Sequence, residues 1–259
     1  MATACFDTAA MSKSASSAAV PTADRVLQVL AVLARQGKTL SAAELMEHTG
    51  LARSTLYRQL ARLKRWGFVL ESDGHYAPGP LSLQLALGFD LASHLVRLAR
   101  PGMLELAQQS QESVGLIVAV NDQAICLDMV ESQQSLRCSF EKGRSVPLRA
   151  GASAKCVLAH LPEAARAAVL DSLWGPGTPA RQAAQDELDA IRQAGFAVSA
   201  GAVDPGVWGC SVPLCGASRQ AVGAITLMAP ILRSQGHEEA LIRRTVVASA
   251  RISRQLVLH

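Results

Sequence analysis

A mixed α/β chain with a winged helix-turn-helix at its N-terminal end is what the sequence predicts, on three observations. Two helix-patterned segments meet at a short turn around Gly50, and two short strand patterns flank Asp73-Gly74. Beyond residue 110, apolar runs of strand length are interspersed with helical patterns. The 259 residues are 49% hydrophobic and 18% charged, enough for a sizeable core in one large domain or two smaller ones. Mean hydropathy is +0.20, which argues against wholesale disorder. Aromatics are only 4%, so packing must rest on Ala, Leu and Val. No run approaches the ~20 apolar residues of a membrane span. The glycines and prolines show no three-residue period, which excludes a collagen-like chain.

The first helix opens at Pro21-Thr22-Ala23-Asp24, where Thr22 or Asp24 can cap it. Val26, Leu27, Val29, Leu30 and Leu33 follow at helical spacing, and Gly37 ends it. Ser41 with Glu44 three residues on forms a capping box for the second helix, which stops at Thr49-Gly50. The third runs from about Ala52 to Trp66 and stops at Gly67. Phe68 to Leu70 and His75 to Ala77 are strands around the Asp73-Gly74 turn, and Pro78-Gly79-Pro80 closes the unit. A helix is expected from Leu81 to Arg100, broken by Pro101, then another to about Ser113. Strands are expected over Gly115–Val120, Ala124–Val130, Leu136–Phe140, Cys210–Leu214 and Ala221–Met228. Helices are expected over Ser153–His160, Pro162–Leu173, Pro179–Gln193 and His237–Leu256. Residues 1–20 are rich in Ala, Ser and Thr, with no basic head before an apolar run, and are expected to be a mobile tail rather than a signal peptide.

Charge is unevenly placed. Residues 21–80 carry eight basic and five acidic side chains, whereas residues 81–259 are nearly balanced. Five of the eight lie between Arg53 and Arg65. At about 100° per residue, Leu56, Leu60 and Leu63 share one side of the third helix. Ser54, Arg58 and Arg65 lie opposite, flanked by Thr55, Tyr57 and Arg62, with no acid among them. A helix of this kind fits a DNA major groove, where arginine bonds guanine edges and hydroxyls reach phosphates. The alternative is an ordinary solvated basic face. The order of capping box, turn, basic helix and D-G wing favours DNA. Candidate contacts are Ser41, Arg53, Ser54, Thr55, Tyr57, Arg58, Arg62, Arg65 and His75. Tyr57 either meets a phosphate or packs on the wing, and Gly74 needs no role beyond its turn. Double-stranded DNA is the expected partner. One short helix reads few bases, so a two-fold oligomer on a two-fold site is also expected.

The segment Leu51-Ala52-Arg53-Ser54-Thr55-Leu56-Tyr57-Arg58-Gln59-Leu60 resembles one found in IclR-type bacterial transcription regulators. So do Gly151 to Pro162, the stretch holding Gly195-Phe196-Ala197, Pro205-Gly206-Val207 and Val212-Pro213, and the final Ala250 to Leu256. The resemblance implies a tail (1–20), a winged helix-turn-helix (21–80), a linker helix (81–100) and a GAF-like α/β effector-binding domain (101–259). It implies homodimers that pair into tetramers on palindromic operators, and a small organic or aromatic acid as effector. The acid would favour one arrangement of the linker helices and change the spacing of the paired DNA-reading helices. One departure stands out: where the family commonly has an acid four positions before the glycine matched by Gly206, this chain has Ala202, with Asp204 two positions later.

In the second half, Ala150-Gly151-Ala152-Ser153 precedes an apolar helix. Its backbone N–H groups could receive a carboxylate, or Ser153 could simply cap the helix. The resemblance implies the former, with Gly151, Ala152 and Ser153 as ligand contacts. Met129, Leu136, Phe140, Val207, Cys210, Val212 and Met228 would form the walls, and Thr226 and Asp204 the polar contacts. Catalysis by Cys156 with His160, or by Ser153 near Lys155, is the competing reading, an enzyme with a DNA-binding appendage. A DNA-binding protein without effector is a third. No phosphate loop, dinucleotide fingerprint or metal-ligand spacing occurs, so no cofactor or metal is expected. The six cysteines lack C-x-x-C spacing and read as reduced thiols of a cytoplasmic protein.

Overall fold

The computed structural model describes residues 21–218 and 220–258, so the expected tail lies outside the described residues. The chain divides into two units between Ser93 and His94. The first contains α1 (Thr22–Gln36), β1 (Leu40–Ser41), α2 (Ala42–Thr49), α3 (Arg53–Arg65), β2 (Val69–Ser72), β3 (His75–Pro78) and α4 (Pro80–Ala92). The capping box forms as expected: Ser41 Oγ accepts the Glu44 N–H at 3.3 Å, and Glu44 Oε2 accepts the Ser41 N–H at 2.8 Å. Val29, Leu33, Leu45, Leu56, Leu60, Leu63, Val69 and Tyr76 make one core under the three helices and the wing. β1 was not foreseen. Its two residues are too short to show a period, yet they pair with β3 to give the order β1-β3-β2.

The single helix expected over 81–100 is two. Ser93 leaves the helical region (φ −67°, ψ 101°) and ends α4. Serine is a residue whose side chain competes with the helical ladder. The next helix, α5 (His94–Ser110), runs straight through Pro101. An interior proline costs about 3 kcal/mol. Val96, Ala99, Met103, Leu106 and Ala107 are buried on both sides of it. At roughly 1.5–3 kcal/mol for each large side chain, their burial outweighs that cost.

The second unit adds β4 (Ser113–Val120), β5 (Gln123–Val130), β6 (Ser145–Pro147), α6 (Gly151–Ala159), α7 (Glu163–Trp174) and α8 (Pro179–Ala194). It ends with β7 (Ala197–Ala200), β8 (Val207–Cys215), β9 (Ala221–Pro230), α9 (Ile231–Ser234) and α10 (Glu238–Leu258). The sheet is antiparallel throughout, in the order β6-β5-β4-β9-β8-β7. One face carries α6, backed by α8, and the other carries α5 and α10. A bulge at Leu127 shifts the register, because Ile117 pairs with Cys126 but Leu116 with Asp128. Cys126 and Met129 therefore join the α6 side. Asp128 turns to the α5 side, where its buried carboxylate meets Arg100 Nη1 at 2.5 Å.

The strand expected over Leu136–Phe140 does not form; residues 131–144 are a loop. Leu136 is 64% exposed. Its carbonyl, which a strand ladder would need, accepts Arg233 Nη1 at 2.7 Å. The same guanidinium grips Glu112 bidentately, Nε to Oε1 and Nη2 to Oε2, both at 2.7 Å. The edge strand β7 was also unforeseen.

Glu112 is only 5% exposed. Removing its partner leaves a buried charge uncompensated, so Arg233→Ala is expected to destabilise the second unit by about 3 kcal/mol. Urea unfolding of the full chain measures this; a loss of only a few tenths of a kcal/mol would show that the pair behaves like a surface ion pair.

Candidate functional site

Helix α3 buries Leu56, Leu60 and Leu63, which are at most 3% exposed. Arg53, Ser54, Arg58, Arg62 and Arg65 are exposed on its other side, with Thr55 half-buried beside them. Arg53, Arg58 and Arg65 have no carboxylate partner among the described residues. Lys64, by contrast, is paired with Glu71 of the wing. The Arg53 guanidinium lies 5.7 Å from the Tyr57 ring centroid. Tyr57 is 42% exposed and close to Tyr76 of the wing, whose phenol is pushed up mainly by burial. It thus stands beside the wing with a face still open to solvent. Gln59, unforeseen, is fully buried on α3; its Oε1 accepts Arg62 Nη1 at 3.3 Å, and its Nε2 has no partner among the described residues.

The wing turn has the geometry that D-G supplies, with φ +51° at Asp73 and +74° at Gly74. His75 is exposed next to the tip, its Nδ1 3.0 Å from the Asp73 carbonyl oxygen. Ser41 is differently placed. Its hydroxyl donates to Glu44 Oε2 at 2.8 Å while capping α2, so the oxygen is already committed within the unit.

In the second unit, α6 starts at Gly151 with Ala150 as N-cap, not at Ser153. Gly151 has φ +79°, and a Cβ there would lie 2.6 Å from Val203 Cγ2, so only glycine fits. The Ala152 N–H donates to Ser199 Oγ at 2.9 Å. Phe140 and Met228 belong to the same buried cluster as Ala152, and Met129, Val203 and Val207 pack against it. Thr226 lies near Gly209 and Ala152, and its hydroxyl donates to Ser211 Oγ at 2.9 Å. Ser153 is half-buried in the first turn.

Cys210 and Val212 do not join this group. They share the opposite face of β8, where the Cys210 thiol meets Thr245 of α10 and burial pushes it up to about 12. Leu136 is in the exposed loop described above. Arg144 was missed in the sequence: it lies 4.5 Å over the Phe140 ring, and its Nη2 donates to Asp204 at 3.3 Å. Nothing periodic marks Arg144 in Lys142-Gly143-Arg144, and only the tertiary fold brings it to Asp204.

Cys156, His160 and Lys155, the residues of the competing reading, each make contacts of their own within the fold. The Cys156 thiol is buried against Ser211 and is pushed up to about 12, chiefly by burial. His160 Nδ1 faces the Cys156 carbonyl oxygen at 2.9 Å. Lys155 is paired with Glu187 at 2.5 Å. Among the described residues no three His, Cys, Asp or Glu side chains cluster as a metal site, and no helix is long and apolar enough to cross a membrane. The five cysteines among them are free thiols.

A winged helix-turn-helix with an arginine-bearing face open to solvent, followed by a mixed α/β domain, defines a DNA-binding transcriptional regulator. The family model of the IclR helix-turn-helix domain matches residues 22–73, and that of the IclR C-terminal domain of bacterial transcriptional regulators matches residues 91–254. The chain belongs to the IclR family of bacterial transcriptional regulators. It is 33% identical over 223 residues to the HTH-type transcriptional regulator Rv1719 of Mycobacterium tuberculosis, covering 84% of this chain and 85% of that one. It is 29% identical over 143 residues to the transcriptional repressor IclR of Escherichia coli, covering 54% and 52% of the two. An IclR-family regulator from Brucella abortus has the same fold, with TM-score 0.78 at 22% identity over 91% of this chain and 92% of that one.

His160 gives a pH prediction. Burial, with smaller contributions from Arg192 and Arg166, holds its pKa below the ordinary 6.5. As pH falls through that value the unfolded chain takes up the proton first, so stability drops. Urea unfolding at about pH 7.5 and about pH 5.5 is expected to show a smaller drop in His160→Gln than in the unaltered protein. Equal drops would mean that His160 charges freely in the folded state.

Proposed function

We propose that the chain is a cytoplasmic, ligand-responsive regulator. It binds operator DNA as a homodimer or tetramer, and a small organic acid at the α6 face changes that binding. The observation that carries the reading is the row of exposed arginines on α3 that no carboxylate among the described residues neutralises. Arg58 is the base-reading candidate, at the middle of the exposed face. Arg53, Ser54, Thr55 and Tyr57 lie near the helix start, and Arg62 and Arg65 nearer its end, where they suit flanking phosphates. His75 would extend the contact from the wing. The acid acts by binding one of two protein states better than the other, and the same coupling makes operator DNA alter the acid's affinity. The apolar cluster of Phe140, Met129, Val207 and Met228 suits the acid's body, and the first turn of α6 suits its charge.

Footprinting on DNA upstream of the chain's own gene tests the DNA half. Arg58→Ala is expected to abolish sequence-specific protection while leaving melting behaviour and oligomeric size unchanged; undiminished protection would refute the assignment. Affinity of the unaltered protein is expected to fall by roughly a thousandfold between about 50 and about 200 mM salt, because counterions released into more concentrated salt gain less free energy. A flat titration would remove phosphate contact as the source of binding.

A further inference from the structure

We infer that Arg144 is the carboxylate-recognising side chain of the α6 face, and that Asp204 holds its guanidinium until an anionic ligand takes Asp204's place. This deepens the small-acid reading and rests on it. The guanidinium carbon lies 4.5 Å from the centroid of the Phe140 ring. Phe140 belongs to the same buried cluster as Ala152 and Met228, so the cation marks the rim of that apolar face. Asp204 comes from the 201–206 loop, whose Val203 presses on the start of α6 at Gly151. Two separate segments thus bring one cation and one anion to one edge of the cluster.

The segment holding Arg144 is fixed rather than loose. The Gly143 N–H donates to the Cys126 carbonyl at 2.8 Å, the Cys126 N–H donates to the Arg144 carbonyl at 3.0 Å, and the Arg144 N–H donates to the Glu141 carbonyl at 2.9 Å. The Asp204 contact is different. It is a single bond of 3.3 Å between side chains that are 39% and 41% exposed. Such a pair contributes little. A guanidinium has five N–H donors and prefers a bidentate carboxylate. An incoming carboxylate that also buries an apolar body against Phe140 makes the stronger contact and displaces Asp204 into solvent. The displaced aspartate stays nearby and disfavours a second negative charge on the ligand. The ligand class is therefore a monocarboxylate with a short aliphatic or aromatic body.

The test is calorimetric titration and thermal melting of the full chain against monocarboxylates from acetate to benzoate, each paired with its primary amide and a matched dicarboxylate. At least one monocarboxylate is expected to bind and raise the melting temperature, with its amide and dicarboxylate much weaker. Arg144→Gln is expected to weaken that acid roughly ten- to hundredfold. Arg144→Lys is expected to restore only part of the affinity, since a point charge replaces a fork. Asp204→Asn, which removes the internal competitor, is expected to tighten binding about two- to fivefold. Unaltered affinity in a normally melting Arg144→Gln protein overturns the Arg144 assignment while the small-acid reading stands. Weaker binding in Asp204→Asn overturns the competitor role. Failure of every acid to bind the unaltered protein overturns both the assignment and the reading beneath it.

Discussion

Burial of one leucine stripe on α3 governs the N-terminal unit of the molecule. With 3.6 residues per turn, a helix that commits Leu56, Leu60 and Leu63 to a core has no freedom left in which face it presents. Each of these side chains contributes roughly 1.5–3 kcal/mol on burial. Arg53, Arg58 and Arg65 are therefore turned outward by what lies beneath them, with no bond to a carboxylate among the described residues. The wing is joined to the same helix by Lys64 with Glu71 and by Val69 and Tyr76, which share the leucine core.

The second unit solves a different problem. Its sheet is covered on both sides, and neighbouring residues on one strand serve different purposes. The bulge at Leu127 lets Met129 reach the α6 cluster while Asp128 turns back to Arg100 on α5. Polar groups on the α6 side are satisfied locally, Thr226 by Ser211 and the Ala152 amide by Ser199. The Arg144–Asp204 pair remains as the cation and anion at the rim.

What could be read from the chain was local. The Ser41–Glu44 box, the glycines that stop helices, the D-G turn and the leucine stripe each act over a few residues, and each is where the pattern places it. What could not be read depended on distant partners. β1 exists because Leu40 meets Tyr76, the Leu136 segment stays a loop because Arg233 takes its carbonyl, and α5 survives Pro101 because its apolar face is covered. Cys210 and Val212 show a subtler limit. Their strand was foreseen, but both its faces are buried, so the alternation that would assign each residue to a face is erased. Arg144 and Asp204 lie 60 positions apart, beyond the reach of any spacing rule.

The loop 131–144 is tethered at both ends. Arg233 holds the Leu136 carbonyl from one side, and the ladder of Cys126 with Gly143 and Arg144 holds the other. Between these anchors Cys138 and Phe140 are buried in the α6 cluster, while Arg137 and Ser139 bond back to Glu131. Substitutions at the loop's exposed positions therefore leave the sheet core untouched, whereas substitutions at Cys138 or Phe140 reach into it.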